Sequence, residues 1–234
     1  MILHIETSTH VCSVALSDGE QLLFEKVSFE GPSHAALAGS FVEEALSVLK
    51  EKQGKLHAVA VSSGPGSYTG LRIGVSLAKG LCFGLEVPLI AIPTLELLAS
   101  TAIRSHAADS GALYCAMIDA RRMEVYSALY DAKLSPVASV KAEIITPESY
   151  AAYLDKNEVC FFGNGAAKCK DIISSPNACF LDDIHPLAVN MIPLALKALE
   201  REQFEDVAYF EPFYLKEFQA TIARNKVLDG LQKN

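Results

Sequence analysis

The sequence predicts an α/β protein built from two similar halves in tandem. Three strands open the chain, and helices and strands then alternate up to about residue 105, in the order βββαβαβα. A new strand, turn and strand begin at Leu113, so the pattern starts a second time. Between Ser62 and Gly84 a strand ends in a glycine-rich turn and passes directly into a helix. Such an order is typical of sheets covered by helices.

Hydrophobic periodicity and turn residues predict the elements of the first half. Strands over residues 1–6 and 11–17 flank a polar turn, and Asp18-Gly19 indicates a hairpin into a third strand over 21–27. A helix opened by Pro32-Ser33 reaches about Lys52, with a wide apolar face. The remaining predicted elements are a strand over 58–62, a helix from Thr69 capped by Ser67 or Thr69, a strand over 89–92 and a helix over 94–105.

The helix that follows the glycine-rich turn has one face almost without side chains. Residues 62–84 hold six of the 14 glycines, and Gly70, Gly74 and Ala78 recur at every fourth position. A glycine inside a helix costs about 0.5 to 1 kcal/mol relative to alanine, so two on one face require a reason. The neighbouring face carries larger apolar residues: Ile73, Leu77 and Leu81.

Three interpretations of this glycine stripe stay open at this point. The stripe could pack inside the chain, it could let a partner helix approach closely, or the helix start could bind a phosphate. The phosphate motifs fit poorly, because Gly70 is followed by Leu71-Arg72 rather than by the lysine of a Walker loop. The spacing of Gly64, Gly66 and Gly70 is GxGxxxG, which also misses the dinucleotide fingerprint.

Composition indicates a folded protein without a membrane segment. Half of the 234 residues are apolar, 21% are charged, and no apolar run reaches 18 residues. Met1 leads directly into a strand pattern rather than a basic signal sequence, so we expect a cytoplasmic protein. The net charge of −8 argues against a large nucleic-acid surface on this chain alone. The six cysteines show no CxxC spacing, which predicts reduced thiols and neither disulfides nor zinc.

The second half repeats the strand pattern of the first. We predict a lobe over residues 1–109 and a smaller lobe over 110–234, whose C-terminal tail returns to the first lobe. Placing Ile5-Glu6 over Ile118-Asp119 also aligns Asp18 with Asp131, which predicts one constant offset between the halves. The predicted elements are strands over 113–119, 124–130, 137–145 and 159–163, a helix capped at Thr146, a short helix after Gly163-Asn164-Gly165, and a last long helix from Pro186.

Residues 63–74, SGPGSYTGLRIG, resemble the hallmark of the TsaB family, bacterial partner proteins in the synthesis of threonylcarbamoyladenosine in tRNA. The resemblance extends over the whole chain, most loosely in the second half. It includes the segments 5–9 (IETST), 118–121 (IDAR) with 124–126 (EVY), and 211–215 (EPFYL). It implies an actin-like ATPase fold made of two ribonuclease-H-like halves. It also implies work beside TsaD, which this family resembles, and TsaE, with which TsaD modifies the adenosine next to the anticodon.

The same resemblance implies that this chain is not itself the catalyst. In enzymes of this fold, acidic residues on the first strand of each half face a nucleotide and metal cleft, and Glu6 and Asp119 occupy those strand ends. The turns that follow lack glycine, however, and none of the six histidines has a second histidine four residues on, as TsaD-like metal binding requires; His34 is followed by Ala38. The alternative is an independent ATP-dependent phosphotransferase or hydrolase that uses the cleft.

We therefore predict a scaffold that activates TsaD, with no catalytic residues, no metal and no required cofactor. Weak binding of ATP or ADP is assigned to six residues: Glu6, Thr7, Ser8, Asp119, Gly163 and Gly165. The predicted partner surface combines the helix after Ser33 with the glycine helix: His34, Leu37, Phe41, Gly70, Arg72, Ile73, Gly74, Leu77 and Ala78. This surface would form a homodimer of the chain alone or a pseudo-symmetric heterodimer with TsaD. Contact with tRNA is expected only through the complex, and none with a membrane.

Overall fold

Two mixed five-stranded sheets form the framework of the computed structural model, which describes residues 1–31, 33–106 and 111–216. The first sheet contains β1 (Ile2–Glu6), β2 (Cys12–Asp18), β3 (Gln21–Ser28), β4 (Ala58–Gly64) and β5 (Leu89–Pro93). The second contains β6 (Leu113–Asp119), β7 (Glu124–Tyr130), β8 (Pro136–Ile144), β9 (Val159–Phe162) and β10 (Ala178–Leu181). The helices are α1 (His34–Glu51), α2 (Tyr68–Leu85), α3 (Thr94–Ser105), α4 (Ala151–Leu154) and α5 (Ile192–Glu200), with 3-10 helices at Ala167–Cys169 and Ala188–Met191.

The two sheets have the same topology. The first has the order β3-β2-β1-β4-β5, and the second, read from its opposite edge, has the order β8-β7-β6-β9-β10. In each sheet the first strand of the half pairs antiparallel with the second strand and parallel with the fourth. The predicted repetition of one strand pattern in two halves is therefore confirmed.

The constant offset predicted between the halves is wrong by one residue. Ile5 packs against α1, on the outer face of the first sheet. Ile118, which the offset places over Ile5, packs instead against α3 on the opposite face of its own sheet, while its neighbour Met117 faces α4. Because side chains alternate along a strand, a shift of one residue exchanges the two faces.

The core is arranged in layers around the two sheets. Helices α1 and α2 cover one face of the first sheet, where Phe41 and Val75 join the buried residues of the strands. Helix α3 contributes Leu97 to the core of the first half and Leu98 to the core of the second, so it is buried by both sheets. No helix within the described residues is long and apolar enough to cross a membrane.

Two predicted elements of the second half are wrong in their extent, and one strand of that half was not predicted. The helix expected from Thr146 is only the single turn of α4, since Tyr150 has a φ of 64° and cannot continue a right-handed helix. The last helix begins at Ile192 rather than Pro186, and a separate 3-10 helix precedes it. Strand β10 is missed because its four residues lack the length and alternation by which strands are recognised.

The C-terminal part of the described chain lies against the first sheet. Met191, Leu194 and Ala195 pack with Ile2 and Ile90, and Glu205 forms an isolated bridge with Leu89. The predicted boundary between residues 109 and 110 falls in 107–110, and Pro32 and the last residues from 217 onward also lie outside the described residues. The described tail therefore contacts the first half as far as Phe213, whose amide donates to the Ser63 carbonyl, whereas Lys216 at its end pairs with Glu124 of β7 in the second half.

Candidate functional site

The glycine-rich turn after β4 packs against the turn that follows β1. The amide nitrogen of Ser67 donates to the carbonyl of Ser8 at 2.7 Å, and the hydroxyl of Thr7 donates to the carbonyl of Gly70 at 2.8 Å. Ser67, one of the two residues predicted as the cap, caps α2, because its side chain accepts from the amide of Gly70 at 3.3 Å. The first turn of α2 is therefore held against the end of β1.

The glycine stripe packs inside the chain. A Cβ on Gly70 would overlap the carbonyl oxygen of Thr7, and one on Gly74 would overlap the Thr7 hydroxyl. Gly70, Gly74 and Ala78 are all buried. Of the three interpretations, internal packing is the one observed, and the prediction that these three residues lie on a partner surface is wrong, because the β1–β2 turn and the first sheet already cover them.

Substitution of Gly70 by alanine should destabilise the chain, although alanine favours a helix. Relief of the Thr7 overlap requires a backbone shift, which costs about 1 to 3 kcal/mol, against a propensity gain of up to about 1 kcal/mol. Gly80 lies in the same helix with nothing near its absent Cβ, so Gly80→Ala should stabilise by about 0.5 to 1 kcal/mol. Urea unfolding of the two variants should thus give shifts of opposite sign, and a stabilised Gly70→Ala protein would contradict the packing described above.

The segment EPFYL near the C-terminus meets the glycine-rich turn. The amide of Phe213 donates to the carbonyl of Ser63 at 2.7 Å, and the rings of Tyr68 and Tyr214 lie 4.7 Å apart. Gly64 has a φ of 108°, and a Cβ there would lie 2.6 Å from the carbonyl oxygen of Phe213. The glycine-rich turn and the EPFYL segment, which are distant in sequence, thus form one contact. This contact requires a glycine at position 64.

Glu6 does not face an open cleft. Its side chain, like those of Thr7 and Ser8, is 0% exposed, and its Oε1 accepts from the amide of Ser8 at 2.5 Å. Burial raises the pKa of the Glu6 carboxyl to about 7, against the smaller opposing effect of hydrogen bonding by Ser8 and Ser62. Glu6, Thr7 and Ser8, which were assigned to nucleotide binding, are therefore enclosed by the packed turn, and nucleotide binding at these residues stays a prediction.

Asp119, at the end of β6, has a different environment. Its carboxylate is exposed, accepts from the amide of Arg121 at 2.9 Å and pairs with Lys168. The Lys168 ammonium also donates to the carbonyls of Arg122 and Glu124, at 2.7 and 2.6 Å. The two strand-end acids are therefore not a matched pair, because one is buried and the other is bound to a lysine.

Gly163 and Gly165 allow the loop after β9 to approach the backbone of β6. A Cβ on Gly165 would lie 2.8 Å from the carbonyl carbon of Ile118, and one on Gly163 would overlap the carbonyl of Met117. The amide of Gly165 donates to this same Met117 carbonyl at 3.1 Å. These contacts account for both glycines by backbone packing, without a ligand.

Comparison with known proteins relates most of the chain to proteins of threonylcarbamoyladenosine synthesis. Residues 30–224 match the family model described as "TsaD: tRNA N6-adenosine threonylcarbamoyltransferase". The chain is 31% identical over 223 residues to the tRNA threonylcarbamoyladenosine biosynthesis protein TsaB of Escherichia coli (strain K12), covering 92% of this chain and 94% of that protein. This chain belongs to the TsaB family.

Further relatives agree with this membership. The Bacillus subtilis (strain 168) protein of the same name is 35% identical over 132 residues, 56% of each chain. The solved structure of YeaZ from Pseudomonas aeruginosa superposes with a TM-score of 0.78 at 28% identity, covering 92% of this chain and 99% of that chain. The fold predicted from the resemblance, an actin-like ATPase fold of two α/β halves, is confirmed for this TsaB-family chain.

His34 of this TsaB-family chain has a structural role in the β1–β2 turn. Its Nε2 lies 2.9 Å from the carbonyl oxygen of Thr9 and 3.1 Å from that of Val11, so the Nε2 proton is donated to these two acceptors. The ring is buried, and so is Phe41, which lies two turns further along the same face of α1. Both residues were predicted on the partner surface, and the structure instead buries both in the interior.

Four residues of the predicted surface remain accessible. Arg72 is exposed, and Leu37, Ile73 and Leu77 are half-buried while packing against the core of the first half. The guanidinium of Arg72 lies over the Tyr68 ring, 5.5 Å from its centroid. Sequence reasoning missed Lys168, the partner of Asp119 in the second half, because the two residues are far apart in the chain and no local pattern marks the pair.

Proposed function

We propose that this chain takes part in forming threonylcarbamoyladenosine in tRNA as a non-catalytic scaffold that binds and activates TsaD. The observation that carries the proposal is the match over nearly the whole length of TsaB proteins, which are named for this biosynthesis. The setting is cytoplasmic, where tRNA is modified.

The geometry at the strand ends supports a non-catalytic role. Catalysis of phosphoryl transfer relies on groups positioned around an accessible phosphate, usually with a metal ion. Here Glu6 is enclosed by the turn that carries Thr7 and Ser8, and Asp119 is neutralised by Lys168. Weak binding of ATP or ADP then has to rely on the exposed side of the second half, beside Asp119, and no cofactor is required for the scaffold.

The accessible part of the α1–α2 layer supports the choice of partner surface. Leu37, Ile73 and Leu77 offer accessible apolar area on these two helices, and Arg72 of α2 is exposed; apolar area and arginine are both typical of interface centres. Because TsaD resembles this fold, the same surface can pair with TsaD or with a second copy of this chain, and the two uses compete. TsaE and tRNA join through the complex, consistent with a net charge of −8 on this chain.

Reconstitution tests the proposal directly. With TsaD, TsaE, tRNA and the activated threonylcarbamoyl donor, omission of this chain should lower the rate of modification at least about tenfold, equal to about 1.4 kcal/mol of activation free energy. Equal rates with and without the chain would refute the scaffold.

The alternative function, an independent ATP-dependent phosphotransferase or hydrolase, makes a different prediction in the same assay. It requires steady ATP turnover by the isolated chain that is lost in Asp119→Ala, whose side chain is exposed and dispensable for the core. Turnover that survives Asp119→Ala would point to a contaminating ATPase and leave the scaffold as the better account.

A further inference from the structure

Two cysteines and a histidine that are distant in sequence converge at the edge of the second sheet. Cys160 in β9 and Cys179 in β10 are directly opposite each other in the parallel ladder. His106 follows the C-terminal end of α3. One nitrogen of the His106 ring and the two sulfur atoms all lie within 4.8 Å of one another.

The three side chains are buried on one side and accessible on the other, as a metal site requires. Cys160 is fully buried among apolar residues that include Phe162, whereas Cys179 and His106 are half-buried. The hydroxyl of Tyr114 donates to the backbone carbonyl of His106 at 2.9 Å, which fixes the backbone position of the histidine. An ion could therefore enter from the side of Cys179 and His106.

We propose that His106, Cys160 and Cys179 bind a zinc ion, with water as the fourth ligand. Thiolate sulfur and imidazole nitrogen are the ligands that zinc prefers, at about 2.3 and 2.0 to 2.1 Å, in a tetrahedron. Such bond lengths place the ligand atoms roughly 3.5 to 3.8 Å apart, within reach of side-chain rotation from the observed spacing. Two thiolates and a neutral imidazole balance the charge of Zn²⁺, which reduces the cost of burying the ion.

Metal binding at this site must release protons. Zinc binds thiolates, so formation of the two Zn–S bonds breaks two S–H bonds and passes two protons to the buffer. The ion supplies no electrons, and the sulfurs remain in the same oxidation state.

Sequence reasoning predicts no zinc site because it searches for closely spaced cysteines. In this chain the ladder between β9 and β10 brings the two thiols together, and α3 carries the histidine to the same edge. The site lies at the edge of the second sheet, and none of its three residues belongs to α1 or α2. The proposed zinc site is therefore independent of the scaffold function. A failure to bind metal would not contradict the proposal that this chain activates TsaD.

Titration of the reduced full chain with Co²⁺ in the absence of oxygen tests the site. We expect a thiolate-to-cobalt charge-transfer band and the visible bands of tetrahedral Co²⁺, saturating at one ion per chain and abolished by Zn²⁺. Cys179→Ser should remove most of the charge-transfer intensity. His106→Ala should keep the band but weaken binding at least about tenfold, the smallest loss usual even for outer-shell partners.

The control is Cys82→Ser, which removes a buried thiol of the first half that contacts the Pro88 carbonyl; its Co²⁺ spectrum should equal that of the unmodified chain. Circular dichroism reports whether each variant is folded, and Cys179→Ser is the decisive one because its side chain is only half-buried. Absence of the charge-transfer band in the folded unmodified chain, or an unchanged band in folded Cys179→Ser, would overturn the proposal.

Discussion

Leu77→Glu is expected to weaken binding of this chain to TsaD by roughly 30-fold or more, because a central interface residue contributes about 2 kcal/mol or more when it is lost. Leu77 is half-buried in α2, one turn from Ile73, and the exposed Arg72 precedes Ile73 in the same helix. A carboxylate at this position would have to lose its hydration in the complex without a partner charge. Sedimentation or titration calorimetry of the mixed proteins measures the loss.

Two further variants separate binding from folding. Leu77 also packs against the core of the first half, so its variant can lose some stability, whereas Arg72→Glu changes an exposed side chain and should weaken TsaD binding with an unchanged melting temperature. Ile144→Glu is the matched control, since Ile144 is a 68% exposed apolar residue of β8 in the second sheet. If Arg72→Glu and Leu77→Glu bind TsaD as tightly as Ile144→Glu does, the partner surface lies elsewhere.

Local sequence patterns predicted the elements whose stability is local. The hairpin at Asp18-Gly19 joins β2 to β3 as expected, and α2 is capped by Ser67, one of the two predicted caps. Strands β6 and β7 have the predicted bounds, Leu113–Asp119 and Glu124–Tyr130. These features depend on turn chemistry, capping and alternation within a few residues, and such local signals can be recognised in the sequence.

Features that depend on long-range packing could not be predicted in the same way. The spacing of Gly70 and Gly74 correctly indicated a close approach, but no pattern indicated that the approaching group is the turn at Thr7. The acid at the end of β1 could equally have faced solvent, because a single strand does not state which of its faces is covered. The pairing of Asp119 with Lys168 likewise depends on how β9 is placed beside β6.

The turn between β1 and β2 connects these observations. Gly70 and Gly74 in α2 let Thr7 approach the helix closely, and Gly66 in the preceding turn does the same for Ser8. The packed β1–β2 turn encloses Glu6. Where an ATPase of this fold needs an accessible turn for phosphate, this chain uses the same position to hold α2 on the sheet. The glycine stripe therefore supports the partner surface indirectly, since it fixes the helix whose outer residues Arg72 and Leu77 are accessible.

Glu6→Gln is expected to stabilise the chain at pH 8 by up to about 3 kcal/mol and to have little effect at pH 4. The folded-state pKa of Glu6 is about 7, raised by burial above the ordinary 4.5. The folded chain therefore retains a proton that the unfolded chain has released, and stability falls as the pH rises from 4.5 through 7. A difference of one between the folded-state and unfolded-state pKa corresponds to 1.36 kcal/mol of stability, and this relation sets the upper limit of about 3 kcal/mol.

Urea unfolding of both proteins between pH 4 and 8 measures this effect. Glutamine has the shape of the protonated acid but does not ionise, so the variant should lose the decrease in stability that the unmodified chain shows between pH 4.5 and 7. The exposed acid Asp119 provides the control: its carboxylate is outside the core, so Asp119→Asn should retain that decrease. Parallel pH profiles for Glu6→Gln and the unmodified chain would mean that Glu6 is ionised and solvated in solution, and that the turn at Thr7 and Ser8 opens far enough to expose the end of β1.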